Sequence, residues 1–370
     1  MAQFRNTWID IRLDHITSNL NLIRNASEKA IFAVIKANAY GHGDVEVARH
    51  LEKLNVSYLC VSSLDEAVHL RKHGIETPVI ILGYCETEHL HIAGENKITC
   101  IIPSKEWLLN ALSSYTSLQN LVFHIKIDSG MNRVGIKNIE EYKEVLQLAK
   151  NHQLNLEGVC THLSSSNMSD QILTDKQLET FKKFLESSDS GFRWIHVANS
   201  DAAVTVSKQD GVSNAVRCGI SMYGYSTFNQ ELQPVLSLHC GINQIKKLYP
   251  GDKVSYSATY TASKEETIAI IPIGYADGLD RKLQGFHFSI KGHPCEVIGR
   301  VCMDLIIIRV PVDTKLTDVV EIIGYHRNAA DMAKHLDTIP YEILTSLSPR
   351  ITRRYWQNND LIKSINERFD

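Results

Sequence analysis

From residue 31 to about residue 224, short β-branched runs alternate with longer segments of helical period, and no other feature constrains the fold of this chain as tightly. Strand candidates fall at 31–36, 58–62, 78–82, 98–102, 121–128, 155–162, 193–198 and 214–218. Most are near-continuous apolar runs, as expected of strands buried on both faces of a parallel sheet. Helix candidates between them cover 44–54, 63–74, 104–115, 138–151 and 174–187. Several open on Asp, Ser, Thr or Asn, whose side chains satisfy the free N–H groups of a first helical turn. Eight βα units in about 200 residues predict a closed TIM barrel rather than a doubly wound sheet.

Beyond residue 228 the texture changes to strand-like runs joined by Gly, Pro and Asp turns, with little helix before NAADMAKHL. A mostly antiparallel β domain is expected over 228–370, after a barrel over 9–227. The alternation in FRNTWIDIRL suggests an N-terminal strand through which residues 1–8 could join that second sheet. The 370 residues, 44% hydrophobic and 22% charged, leave room for two domains and a large core. With 39 Lys and Arg against 42 Asp and Glu and no long charged run, neither nucleic acid nor an anionic membrane is an implied partner. Small-molecule chemistry is the default. The N-terminus offers no signal peptide, and no window is apolar enough to span a bilayer. The eight cysteines fall singly, which suits reduced thiols and a cytoplasmic location; no metal site is expected.

A barrel of this kind takes its chemistry from the C-terminal ends of its strands. Those ends carry Lys36, Lys126 with Asp128, His162, Asn199 with Ser200, and Arg217. Strand ends are where polar residues resume in any case, which accounts for some of these but less readily for a Lys, a His and an Arg. A lysine after a buried strand is costly to desolvate, and an amine of depressed pKa is what Schiff-base chemistry requires. A lysine stem snorkelling to the rim explains Lys36 equally well on its own.

The segments AVIKANAYGHG (33–43), KIDSGMNRVG (126–135), THL (161–163), ANS (198–200), VRCGISMYG (216–224), ATYTA (258–262), IPIGYADG (271–278), GRVCMD (299–304) and TIPYE (338–342) together resemble alanine racemase, in order and across nearly the whole chain. The resemblance implies an enzyme that uses pyridoxal 5'-phosphate (PLP), with a barrel, a C-terminal β domain and active sites shared across a homodimer. It would interconvert L-alanine and D-alanine by two bases and supply D-alanine for peptidoglycan. Lys36 matches the lysine that carries the cofactor and serves one face of the substrate; Tyr260, from the partner subunit, matches the base of the other face. Tyr40, His162, Ser200, Arg217, Gly219, Ile220 and Tyr341 match cofactor-binding residues. Arg133 matches the residue that steadies the substrate carboxylate, Met303 and Asp304 match residues of the partner subunit that line the substrate pocket, and Tyr275 matches an entry-channel residue. Lys126 corresponds to a lysine often carbamylated in this family, where the carbamate would orient Arg133; otherwise it is a lysine paired with Asp128. Asp201 and the run SSSN (164–167) depart from the family pattern or vary within it.

Chemistry is consistent with these roles. A guanidinium donates and never accepts, so Arg217 facing the cofactor's ring nitrogen keeps that nitrogen unprotonated. The ring is then a restrained electron sink, which favours reprotonation at the substrate Cα over transamination or decarboxylation. A tyrosine base needs cationic or hydrogen-bonding neighbours to act near neutrality, and His162 is the candidate. Without the resemblance, Arg217 could be a structural ion pair or phosphate contact, and His162 a satisfied strand-end histidine. Competing functions are a broad-specificity amino-acid racemase, a decarboxylase, and a non-catalytic PLP-binding protein; the last leaves residues 228–370 and Tyr260 unexplained.

Overall fold

The computed structural model describes residues 4–166, 171–205, 210–227 and 231–369. Residues 1–3, Asn167 of the run SSSN and the expected domain start at 228 lie outside them. The chain divides into two compact units. One comprises Thr17–Ala39 and Asp44–Leu232; the other takes the residues up to Ile16, Tyr40–Gly43 and the residues from Gln233 onward.

The first unit is a closed barrel of eight parallel strands: β2 (Ala30–Val34), β3 (Tyr58–Val61), β4 (Val79–Ile81), β5 (Ile98–Ile102), β6 (Val122–Lys126), β7 (Asn155–Cys160), β8 (Trp194–His196) and β9 (Ala215–Cys218), with β9 closing on β2. Each pairs parallel to the next, so every C-terminal end opens on one face. Strands β3, β4, β5 and β9 are buried along their whole length, which is why apolar residues dominate them. The intervening helices start where their caps lie. Ser63, Ser104 and Asn138 accept the backbone N–H of Glu66, Trp107 and Glu141. The helix expected to start at Thr174 begins at Ile172, and Thr174 is buried within it.

The second unit holds a seven-stranded sheet in the spatial order His293–Glu296, His287–Ile290, Val320–Ile323, Leu236–Cys240, Thr7–Arg12, Thr352–Gln357, Asp360–Ile365. Strand β1 (Thr7–Arg12) lies antiparallel to Leu236–Cys240 and parallel to Thr352–Gln357. Thr7–Arg12 therefore belongs to this sheet, and the barrel unit starts at Thr17 rather than at residue 9. A three-stranded antiparallel sheet (Gln244–Leu248, Glu266–Ile271, Ile306–Arg309) and a two-stranded ribbon (Lys253–Val254, Tyr260–Thr261) complete the β structure. Among the described residues no helix is long and apolar enough to cross a membrane.

The first barrel strand ends at Val34, two residues short of its expected end, because the chain then enters a left-handed turn. Ala37, Asn38, Ala39 and Tyr40 all have φ between 50° and 53°, a conformation costing L-residues about 1–2 kcal/mol each. Local hydrogen bonds hold it. Ala37 N–H donates to Glu66 Oε1 at 2.7 Å, Ala39 N–H to Ile35 O at 2.8 Å, and Asp44 N–H to Asn38 Oδ1 at 2.8 Å. The following glycines are obligatory for two reasons. Gly41 and Gly43 have φ of 81° and 93°, and a Cβ would lie 2.2 Å from Leu344 O at the first and 1.9 Å from the Tyr355 hydroxyl at the second. Replacing Asn38 by Val removes the bond to Asp44 and forces a β-branched residue into the left-handed region. Urea unfolding should show a loss of about 2 kcal/mol for Asn38→Val, and a smaller loss for Asn38→Gly, which keeps the backbone freedom.

Candidate active site

The mouth of the barrel is organised by Arg217, at the end of β9. Its guanidinium is 3% exposed and donates to five acceptors from neighbouring strand ends. Nη1 reaches His196 O and His196 Nδ1, both at 2.8 Å. Nη2 reaches Thr161 O at 2.7 Å, Val197 O at 2.8 Å and His162 Nδ1 at 3.2 Å. Among the described residues its Nε–H takes no hydrogen bond. Burial pulls the Arg217 pKa below that of a free guanidinium, but a group of this type stays charged.

That buried charge sets the protonation of its surroundings. His162 is pushed down to about 2, first by desolvation and then by Arg217, Lys126, Arg133 and Lys36, so its ring is neutral. Since Nδ1 accepts from Arg217, the proton resides on Nε2, which is left as a donor. His162 therefore offers a neighbour a hydrogen bond rather than a positive charge. Lys126, at the end of β6, is pushed down to about 8 by desolvation, with Arg217 and Arg133 adding to the effect. It has no ion pair among the described residues. Asp128, its alternative partner in the sequence, instead accepts the backbone N–H groups of Gly130, Asn132 and Arg133, each at 3.0 Å. A cavity of about 10 Å³ lies between Lys126, Arg133 and His162. Lys36 is solvent-accessible at the head of the left-handed turn, and partial desolvation followed by the charge of Arg133 lowers its pKa.

On the loop after β8, Ser200 Oγ accepts Gly219 N–H at 2.8 Å and Ser221 N–H at 3.4 Å. Buried Ser221 Oγ has no hydrogen-bond partner among the described residues. Ile220 is buried in the same turn. Asp201 has a structural task, since its carboxylate accepts from Ser226 Oγ at 2.8 Å and Thr227 N–H at 3.4 Å.

The remaining candidates lie in the sheet unit and form three separate groups there. Tyr40 and Tyr341 face each other with ring centroids 5.7 Å apart. Tyr275 N–H donates to Cys302 O and Ala276 N–H to Met303 O, both at 3.0 Å, which laces IGYADG to GRVCMD. Arg350 donates to Asp304 at 2.5 Å and to Asp277 at 2.6 Å. Tyr260 is the third. Its hydroxyl donates to Glu266 Oε2 at 2.6 Å and accepts from Arg309 Nη2 at 2.7 Å. Desolvation and Glu266 raise the Tyr260 pKa, and Arg309 opposes them.

Several of these partners were not among the sequence candidates. Thr161, inside the quoted THL, and His196, in the strand WIHV, hold Arg217; Arg309 and Glu266 hold Tyr260. Each is a polar residue in or directly after an apolar strand, which signals a buried partner without naming it. Lysine cannot replace the fork of Arg217. Arg217→Lys leaves several strand-end carbonyls and His196 Nδ1 unsatisfied, and should cost about 2–4 kcal/mol in a urea titration.

Comparison with known proteins places this geometry. Residues 11–227 match the family described as alanine racemase, N-terminal domain, and residues 235–355 match alanine racemase, C-terminal domain. An alanine racemase of Geobacillus kaustophilus is 40% identical, over 98% of this chain and 97% of its own. One of Listeria monocytogenes is also 40% identical, over 95% and 98%. The crystal structure of alanine racemase from Bacillus anthracis with bound L-Ala-P superposes with a TM-score of 0.93 at 36% identity, covering all of both chains. With two domain matches in order, full-length relatives and the same barrel and sheets, the chain belongs to the alanine racemase family.

Proposed function

We propose that the chain interconverts L-alanine and D-alanine with pyridoxal 5'-phosphate as cofactor. The observation that carries this reading is Arg217, a buried guanidinium with both terminal nitrogens engaged and Nε–H available, at the same barrel mouth as Lys36, whose pKa is lowered by partial desolvation. The residues fit the group. Lys36 offers an amine of lowered pKa, Arg217 Nε a donor for a ring nitrogen, and Ser200, Gly219, Ile220 and the orphaned hydroxyl of Ser221 a polar turn for a phosphate. When bound, PLP withdraws electron density from the substrate Cα and so makes its proton removable.

The protein's residues then determine the outcome. Lys36 would hold the cofactor and move a proton at Nζ on one face of Cα. Tyr260 of a second copy moves a proton at its hydroxyl on the other face. Arg309 beside Tyr260 favours the deprotonated hydroxyl, whereas Glu266 and desolvation resist it, so a further donor is required. His162 Nε2–H supplies one without adding charge. Arg133 binds the substrate carboxylate through a guanidinium that has no ion pair among the described residues, Met303 and Asp304 of a second copy border the pocket, and Tyr275 belongs to its entry channel. Tyr40 and Tyr341 would help to hold the phosphate. Arg217 would offer the ring nitrogen only a donor, which disfavours a proton there and favours its return to Cα. Lys126, with a pKa of about 8 beside two arginines, exists partly as the free amine that carbamylation needs, and the resulting anion would face Arg133.

The reading requires a homodimer with shared sites, and it places the enzyme in the cytoplasm supplying D-alanine for peptidoglycan. Borohydride reduction followed by peptide mapping should locate the cofactor on Lys36, and an enantiomer assay on L-alanine should yield D-alanine; label elsewhere, or no enantiomer, overturns it. Tyr260→Phe and Lys36→Ala homodimers should each be nearly inactive. Mixed heterodimers should recover about a quarter to a half of the wild-type rate, because one of their two sites keeps both bases.

A further inference from the structure

Beneath Arg217 a line of polar side chains continues through the barrel core toward the N-terminal ends of the strands. Arg217 Nη1 lies 2.8 Å from His196 Nδ1 on β8, His196 Nε2 lies 2.9 Å from His124 Nδ1 on β6, and His124 Nε2 lies 3.4 Å from Glu157 Oε2 on β7. Arg193 donates to Glu157 Oε1 at 2.9 Å, and the Tyr58 hydroxyl donates to Oε2 at 2.5 Å. Both histidines are fully buried. Nothing in the reaction described above uses this line below Arg217.

We infer that Glu157 is a positioning residue for the barrel mouth: its carboxylate fixes the direction of the hydrogen-bond chain through His124 and His196, and thereby the acceptor on which Arg217 rests. The inference rests on the role proposed for Arg217. The two ends of the chain dictate the same direction. Arg217 can only donate, so His196 Nδ1 must present a lone pair and His196 carries its proton on Nε2. His124 Nδ1 must then accept, which puts the His124 proton on Nε2, facing Glu157. An ionised carboxylate can only accept, so it requires that same tautomer. Desolvation keeps both rings neutral, and the hydrogen bonds from His124 and Tyr58, together with Arg193, hold Glu157 down to about 2.

Packing supports the chain independently. Gly158 passes so close to His124 that a Cβ there would lie 2.7 Å from ring atoms Cε1 and Nδ1, and the pairing of β6 with β7 shifts register at Phe123/His124. Phe32 sits against His196 with centroids 4.9 Å apart, closing another side of the ring. If the Glu157 carboxylate is lost, the His124 proton is free to move to Nδ1. His196 then has to carry its own proton on Nδ1, where it meets the Arg217 N–H donor to donor, and the guanidinium shifts.

The test is carried out on the holoenzyme with 15N-labelled histidine. Both rings should show Nε2–H with unprotonated Nδ1 from pH 6 to 9. Glu157→Gln presents an amide that can turn either group toward His124, and should give mixed tautomers at His124 and His196. It should also lower kcat about tenfold with KM within about twofold, and raise the fraction of turnovers ending in transamination. Tyr58→Phe, which keeps the carboxylate, should retain the tautomers and the rate. Nδ1–H or a doubly protonated ring in the wild type overturns the inference, as do wild-type tautomers, kcat and partition in Glu157→Gln. If Glu157→Gln does not fold, the wild-type tautomers alone decide. A wild-type chain that does not racemise alanine refutes the proposed function instead, and the tautomers still judge the chain.

Discussion

A guanidinium placed where water cannot reach it is the constraint on which the barrel mouth depends. Burying such a charge is tolerated only when nearly every donor finds an acceptor. A parallel barrel can meet that demand, because its strands end together and present carbonyl groups around one opening. Thr161, His196 and Val197 supply theirs from β7, β8 and the residues that follow them. The same charge then acts on its neighbours. It helps hold His162 and His196 neutral and helps bring Lys126 toward neutrality, although all three are of types that often carry charge. A single cation thus sets several protonation states, and substitutions around it cannot be treated as independent.

Much of this was legible in the amino-acid sequence. The eight strands follow from short runs dominated by apolar residues, since a strand buried on both faces has no regular polar alternation to confuse with a surface. The helix starts followed from Ser63, Ser104 and Asn138. Period fails where local preference and tertiary structure disagree. Ala37 and Ala39 are among the best right-handed helix formers, yet they occupy a left-handed turn that Glu66, Asn38 and the chain beyond Tyr40 impose. Thr174 resembles a cap but lies buried inside its helix, since burial there outweighs capping.

Among the site residues, identity was legible and contact was not. His124, Glu157 and His196 each stand as a polar residue between or beside apolar ones in a strand. That they meet depends on the register of three strands and on a shift at Phe123/His124 that no local pattern announces. Asp128 shows the converse. Its place two residues after Lys126 suggests an ion pair, whereas its carboxylate is consumed by the turn Gly130–Arg133. Tyr260 is recognisable from ATYTA, but its opposed partners Arg309 and Glu266 come from neighbouring strands of a sheet that had first to be assembled.

The left-handed turn has a stereochemical consequence. Its residues hold a backbone conformation native to their mirror images, in which the D-enantiomer is the relaxed form and the L-enantiomer the strained one. Ala37 is exposed, so inverting its Cα would move a single methyl group into solvent and leave its hydrogen bond to Glu66 in place. A chemically synthesised chain with D-alanine at position 37 would therefore fold with less strain than the ribosomal one. In a member of this family, that relaxed building block is the enantiomer that alanine racemases make from L-alanine.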